Sequence, residues 1–178
     1  APNGTPVMHD DSFVRGKGLF AITEYLATAE RDNRRFPLIL TTGRILSQYN
    51  VGAQTTRTAK RTCHGEDRLE IHPHDAEQLG IQNGDAVEVA SRAGDTVLTA
   101  TITSRVQPGV VYTTFHHPDT GVNVVTTDNS DWATNCPEYK VTAVSVRKVQ
   151  TPSAWQEQHH RFDEEQQAHL ASGRVQHE

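Results

Sequence analysis

The stretch Leu69-Glu70-Ile71-His72-Pro73-His74-Asp75-Ala76-Glu77-Gln78-Leu79-Gly80, running on through Asn83-Gly84-Asp85 to Ala86-Val87-Glu88-Val89-Ala90-Ser91, decides the fold. A short apolar run ends at Ile71, then Pro and Asp stand where a helix starts and Gly where it stops. The pattern predicts a strand followed by a short helix. Asn83-Gly84-Asp85 is a turn signal, and the alternating run that follows is reversed by Ala93-Gly94-Asp95 into a second one, Thr96 to Thr103. Two alternating strands about a tight turn make a hairpin. Working outward, Pro37-Leu38-Ile39-Leu40-Thr41-Thr42 is a β-prone run that stops at Gly43. Pro108-Gly109 turns the chain into Val110-Val111-Tyr112-Thr113-Thr114-Phe115, and Val141 to Val149 supplies the last strand through Val141, Ala143, Val144 and Val146. Several short strands, one short helix and two long loops predict a mainly β protein, a small barrel with helical decoration.

The flanks have a different character. Residues 1–36 read as a lead-in whose Phe13, Leu19, Phe20, Ile22 and Leu26 suit a strap on a neighbouring surface, and residues 150–178 as a tail, either a peripheral helix or disordered, with Trp155, Phe162 and Leu170 as its few large apolar groups. The barrel domain is therefore expected over 37–149. A length of 178 residues suits one such domain. A hydrophobic share of 35% and a mean hydropathy of -0.62 leave room for solvated extensions. The missing initiator Met suggests a fragment or a processed piece.

A net charge of -5 is the wrong sign for a nucleic-acid partner. No run approaches the roughly 18 apolar residues of a membrane span, and Ala1 to Asp10 lacks a signal-peptide layout, so a soluble, cytoplasmic protein with no membrane partner is expected. Cys63 and Cys136 are expected to be reduced thiols. The histidines of Cys63-His64, His72/His74, His116-His117 and His159-His160 lack the paired-cysteine spacing of structural zinc sites, so no protein-held metal is expected.

Three ordered blocks carry a family resemblance. Leu40-Thr41-Thr42-Gly43-Arg44, running on through Ile45 to Asn50, is the first. The second is Leu69 to Ala76 with Leu79-Gly80-Ile81, Gly84-Asp85-Ala86-Val87 and Val106-Gln107-Pro108-Gly109-Val110-Val111. The third is Asn123 to Thr126 with Pro137-Glu138-Tyr139-Lys140. Together they resemble the molybdopterin dinucleotide-binding domain at the C-terminus of molybdopterin oxidoreductases. Within that family, Tyr112 to Pro118 and Asp131 to Pro137 resemble the catalytic (alpha) subunit of cytoplasmic NAD-linked formate dehydrogenases. The resemblance implies a double-psi β-barrel (ADC-like). It also implies a bis-molybdopterin guanine dinucleotide cofactor carrying molybdenum or tungsten, and the oxidation of formate to carbon dioxide. The implied partners are the remaining domains of the catalytic subunit and electron-transfer subunits bearing iron–sulfur clusters and flavin. Two cysteines cannot hold a four-cysteine cluster, so the isolated domain is expected to be inactive. Two alternatives stay open: another molybdopterin oxidoreductase such as a nitrate reductase, and a double-psi barrel serving as a protein-interaction module.

The same resemblance assigns the cofactor contacts. Thr41 and Thr42 offer hydroxyls, Gly43 close backbone approach, Arg44 a planar fork of donors, and Gln48 and Asn50 amides for ring edges. Tyr49, Phe115, His116, Asn123, Tyr139 and Lys140 complete the set, with no catalytic residue and no metal ligand among them. From Arg44 to Arg68 five bases (Arg44, Arg57, Lys60, Arg61, Arg68) face two acids (Glu66, Asp67), a local bias that suits an anion. Without the resemblance this is an ordinary solvated loop, Phe115 ends a core strand, Asn123 caps a turn and Lys140 is a solvated charge.

Overall fold

The structure, a computed structural model, describes residues 7, 9, 12, 13, 15–59 and 64–174. Cys63, Lys60, Arg61 and most of 1–11 lie outside the described residues, and with Cys63 the question of a disulfide; Cys136 is a free, exposed thiol. The strands are β1 (Leu38–Gly43), β2 (Arg68–Ile71), β3 (Ala86–Ala90), β4 (Asp95–Ile102), β5 (Val110–Thr114) and β6 (Thr142–Lys148). They close into a barrel in the order β1-β5-β2-β4-β3-β6. Two ladders are parallel, β1 with β5 and β2 with β4, and the rest antiparallel. Exchanging β1, β2 and β3 for β4, β5 and β6 reproduces the pairing: β1–β5 becomes β4–β2, and β1–β6 becomes β4–β3. That interlocked two-fold pattern is the double-psi barrel.

Period-two burial fills the interior. Leu69, Ile71, Val87, Val89 and Val111 are fully buried, and Leu40, Leu98, Ala100 and Val144 join them. Each large aliphatic side chain so placed contributes about 1.5–3 kcal/mol. The helix after β2, α1 (Pro73–Leu79), starts on Pro73 and closes on Gly80; His72 caps it, its Nδ1 accepting the His74 N–H at 3.1 Å. Buried Asp75 then accepts the N–H of Gly109 at 2.8 Å, which fixes the turn into β5.

The two flanks attach by polar groups. The apolar residues of the lead-in are left uncovered by this chain: Leu19, Phe20, Ile22 and Leu26 are all 80% exposed or more. Buried Glu30 makes the junction instead, its carboxylate accepting from Arg92 Nη1 at 2.8 Å, Ala143 N at 2.9 Å and Asn129 Nδ2 at 3.3 Å. One carboxylate satisfies three donors that an alkyl group would leave bare. The tail is a helix, α2 (Ala154–Arg174), and Gln156 binds it to β4 through Val97 N–H and C=O at 3.1 and 3.0 Å. Phe162 and Leu170 are exposed. No helix among the described residues is long and apolar enough to cross a membrane.

Candidate functional site

Because β1 and β5 are parallel, both deliver their C-terminal ends to the same rim of the barrel, with Gly43 opposite Thr114. β6 runs antiparallel to β1, so its entry, Tyr139-Lys140, arrives at that rim too. Thr42 Oγ1 donates to Tyr139 O at 2.7 Å, and Lys140 Nζ donates to Thr42 O at 2.6 Å. The Phe115 and Tyr139 rings meet edge-on at 6.2 Å. Residues 24 to 98 positions apart thus form one patch.

The loop that leaves β1 is clamped by His116. Its fully buried ring accepts the Ile45 N–H on Nε2 at 3.3 Å and donates from Nδ1 to Asn50 O, so one neutral tautomer serves both bonds. With both nitrogens engaged inside the protein, His116 positions the loop. Arg44 lies over the Tyr49 ring at 4.9 Å and both are exposed at the rim. Gln48 is buried, its Oε1 taken by Thr55 Oγ1. Its Nε2 has no partner, and neither does the buried Ser47 Oγ beside it. Buried polar groups left in this way need an explanation, and an acceptor supplied by a ligand is one.

Two of the expected contacts stand differently. A Cβ on Gly43 would meet the Tyr112 hydroxyl at 2.5 Å, so what presses on this glycine is a tyrosine of β5. Burial, with Glu70 and Asp67 adding to it, pushes that hydroxyl's pKa above its ordinary value. Asn123 lies in the turn Val122–Val125, exposed, its carbonyl accepting from Thr126 Oγ1 at 2.8 Å. Among the described residues no hydrogen bond joins it to the Thr42–Lys140 patch. The expected basic bias is also smaller at the surface, since Arg68 pairs with Glu66 at 2.7 Å.

Sequence reasoning passed over Asp67 and Tyr112. Asp67 is fully buried and its two oxygens take four donors: Oδ1 from Thr114 Oγ1 and His116 N (3.0 Å), Oδ2 from His117 N (2.9 Å) and Thr120 Oγ1 (2.6 Å). It holds the chain leaving β5 against the start of β2. An acid directly ahead of a strand in a basic stretch was the available signal.

The loop that approaches β6 is folded on Asp131. Its carboxylate is held down at about 2, first by the Thr134 hydroxyl and then by the N–H groups of Thr134, Cys136 and Ala133. A depressed carboxylate contributes order that is complete above its ordinary value of 3.8 and is lost as pH falls towards about 2. Amide exchange of Thr134 and Cys136 should therefore be protected from neutral pH down to the ordinary carboxylate range and lose protection below it; protection unchanged through that window would dismiss the turn.

A cleft of about 330 Å³ lies elsewhere, lined by Asp67, Val97, His117, Asp119, Gln156 and His160 among others. The rim at β1 and β5 is by contrast an open face of backbone ends, aromatic rings and two exposed cations.

Comparison with known proteins gives this patch its context. The F420-dependent formate dehydrogenase 1 subunit alpha of Methanococcus maripaludis is 39% identical over 150 residues, 82% of this chain and 22% of that protein. The F420-dependent formate dehydrogenase subunit alpha of Methanocaldococcus jannaschii is 38% identical over 83% of this chain. A nitrate reductase of Symbiobacterium thermophilum is 38% identical over 139 residues, 75% of this chain and 18% of its own length. The chain thus spans about a fifth of the curated relatives it matches. Among solved structures, acetylene hydratase from Pelobacter acetylenicus shares the fold, with a TM-score of 0.54 at 19% identity over 64% of this chain and 18% of that one. The family model described as "Molydopterin dinucleotide binding domain" matches residues 38–143, from the first residue of β1 into β6. On that match this chain belongs to the molybdopterin dinucleotide-binding domain family, a domain of molybdopterin oxidoreductases.

Proposed function

We propose that the rim formed by the ends of β1 and β5 binds bis-molybdopterin guanine dinucleotide, carrying molybdenum or tungsten, within a formate dehydrogenase catalytic subunit that oxidises formate to carbon dioxide. The observation that carries this reading is the pair of buried, partnerless donors, Gln48 Nε2 and Ser47 Oγ, set between exposed Arg44 and the His116 clamp. An oxygen-rich nucleotide supplies the acceptors they lack. When bound, that group provides the redox centre; this chain's residues bind and orient it. Arg44 and Lys140 face its anionic oxygens, Thr41 offers a hydroxyl, and Tyr49, Asn50, Phe115 and Tyr139 border the ring edges; Thr42, buried with its hydroxyl on Tyr139 O, holds Lys140 at the rim. Asn123, exposed in the turn that follows β5, offers a further amide to the ligand. The open rim suits a ligand whose other side is covered by further domains of the catalytic subunit.

Electrons leave, in this reading, through iron–sulfur and flavin subunits in the cytoplasm. The sequences of 112–118 and 131–137 favour NAD as the acceptor, while the methanogen relatives are named for F420; assays of the assembled enzyme with both acceptors separate the two. The nitrate reductase relative supports a second reading, the same dinucleotide held for another oxyanion, which a parallel nitrate assay distinguishes.

The direct test is a melting experiment with extracted pyranopterin guanine dinucleotide. A ligand at 100 times its dissociation constant adds about 2.7 kcal/mol, a rise of roughly 5–10 °C for a chain of this size. Arg44→Ala is expected to remove much of that rise. The chain alone should show no formate-dependent dye reduction, since it has too few cysteines for an iron–sulfur relay. An unchanged melting temperature would overturn the binding role, and clear turnover the division of labour.

A further inference from the structure

A second group of polar side chains plays no part in the dinucleotide site. Asp119, in the turn Pro118–Thr120 after β5, and His159 and Asp163, one helical turn apart on α2, each offer a ligand atom, and these atoms all lie within 4.8 Å of one another. His159 Nε2 stands 3.6 Å from Asp163 Oδ2, beyond hydrogen-bond length. That nitrogen is shielded from solvent and has no hydrogen-bond partner. A shielded imidazole nitrogen facing two carboxylates is left wanting by the protein alone, and a cation would satisfy all three groups at once.

The ring is also held in place for this. His159 stacks on Trp155, centroids 5.1 Å apart and planes 12° from parallel. Trp155 in turn lies over Gly121, where a Cβ would overlap the indole, so the stack is seated on the barrel. Asp119 belongs to the same turn as Thr120, whose hydroxyl is fixed on Asp67 at 2.6 Å. Gln156 Nε2 reaches Asp119 O at 3.4 Å from the helix side. Two independently anchored elements therefore present ligands to one point, the preorganisation that metal sites need. The cleft described above, lined by Asp119, Gln156 and His160, opens beside it.

We propose that Asp119, His159 and Asp163 bind a divalent transition-metal ion of the zinc class, through one imidazole nitrogen and two carboxylate oxygens, and that the ion pins α2 to the barrel. An imidazole ligand favours zinc-class ions over magnesium or calcium, and three protein ligands leave a fourth position to water. The inference is independent of the dinucleotide site. The sequence criterion of paired cysteines does not find it, because its helix pair is spaced by four and its third ligand lies forty positions upstream.

The test uses the full chain, stripped of metal and titrated with Zn²⁺ or Co²⁺ alone. One equivalent of Zn²⁺ is expected to bind and to displace Co²⁺ from the same site. His159→Gln and Asp163→Asn should each weaken Zn²⁺ binding about tenfold or more. Zn²⁺ should also slow amide exchange along 158–166 in the parent chain and not in these variants. Far-UV circular dichroism of the metal-free variants shows whether the helix survives substitution. If it does not, Asp119→Asn, which lies outside the helix, carries the comparison. No bound Zn²⁺, or equal affinity in parent and folded variants, would overturn the proposal.

Discussion

Asp67→Ala is expected to destabilise the chain by about 3–5 kcal/mol, lowering its melting temperature by roughly 10 °C or more. The fully buried carboxylate takes two hydroxyls and the backbone N–H groups of His116 and His117. Alanine takes away the acceptor those N–H groups share, and an unmet buried donor costs about 1–3 kcal/mol. Asp67→Asn should cost less, because its remaining oxygen still serves one side while its amide faces the donors of the other. The order of the two variants is the diagnostic result. Thermal or urea unfolding measures it, and equal stability of Asp67→Ala and the parent would show that the chain leaving β5 is held by something else. His116 follows Asp67 in the network, so dinucleotide binding should fall with stability.

The second large effect separates binding from stability. Gly52 has a φ of 75°, and a Cβ there would overlap the carbonyl oxygen of His116 and touch Thr56 Cγ2 at 3.0 Å. Gly52→Val sets a β-branched residue in left-handed backbone against an immovable main-chain atom, a combination worth about 3 kcal/mol or more where nothing can yield. Here something can. Residues 44–57 form a largely exposed loop outside the barrel, so the least costly response is for that loop to lift from His116 while the strands stay paired. The melting temperature without ligand should fall by a few degrees. The rise caused by dinucleotide should vanish, with affinity reduced at least about tenfold, since Arg44, Ser47 and Gln48 move with the loop. Amide exchange over 45–57 would show the lifting directly. Unchanged affinity in a variant with an exchanging loop would remove this loop from the binding site.

These two positions show what could be read in advance. The strands were legible because Leu69/Ile71, Val87/Val89 and Leu98/Ala100 repeat at period two with turn residues between them, and α1 because Pro73 and Gly80 punctuate it. That the strands close in an interlocked order came from the family resemblance, since periodicity carries no record of which strand lies beside which. Most of the rim residues gather where β1, β5 and β6 meet, and their blocks were visible as blocks. What each side chain does there was not. His116 spends both ring nitrogens on the loop, Gly43 is small because Tyr112 needs the room, and Asn123 sits exposed in a turn with no hydrogen bond to the Thr42–Lys140 patch among the described residues. The lead-in shows the same limit: hydrophobicity singled out Leu19, Phe20, Ile22 and Leu26, which this chain leaves uncovered, whereas its attachment to the barrel runs through Glu30 and three donors that lie far apart in sequence. Long-range polar pairing leaves no local pattern.

The two-fold exchange of the strand triplets bears on how the chain reaches its native state. β1 finds its neighbours in residues 110–114 and 142–144, so nearly the whole polypeptide must be present before the earliest strand has both edges covered. A ribosome releasing this segment exposes bare sheet edges until β6 emerges, and neither triplet can settle first, because each provides the other's flanks. Such non-local assembly belongs to the slow end of the range, milliseconds to seconds, and makes nascent chains dependent on whatever shields them meanwhile.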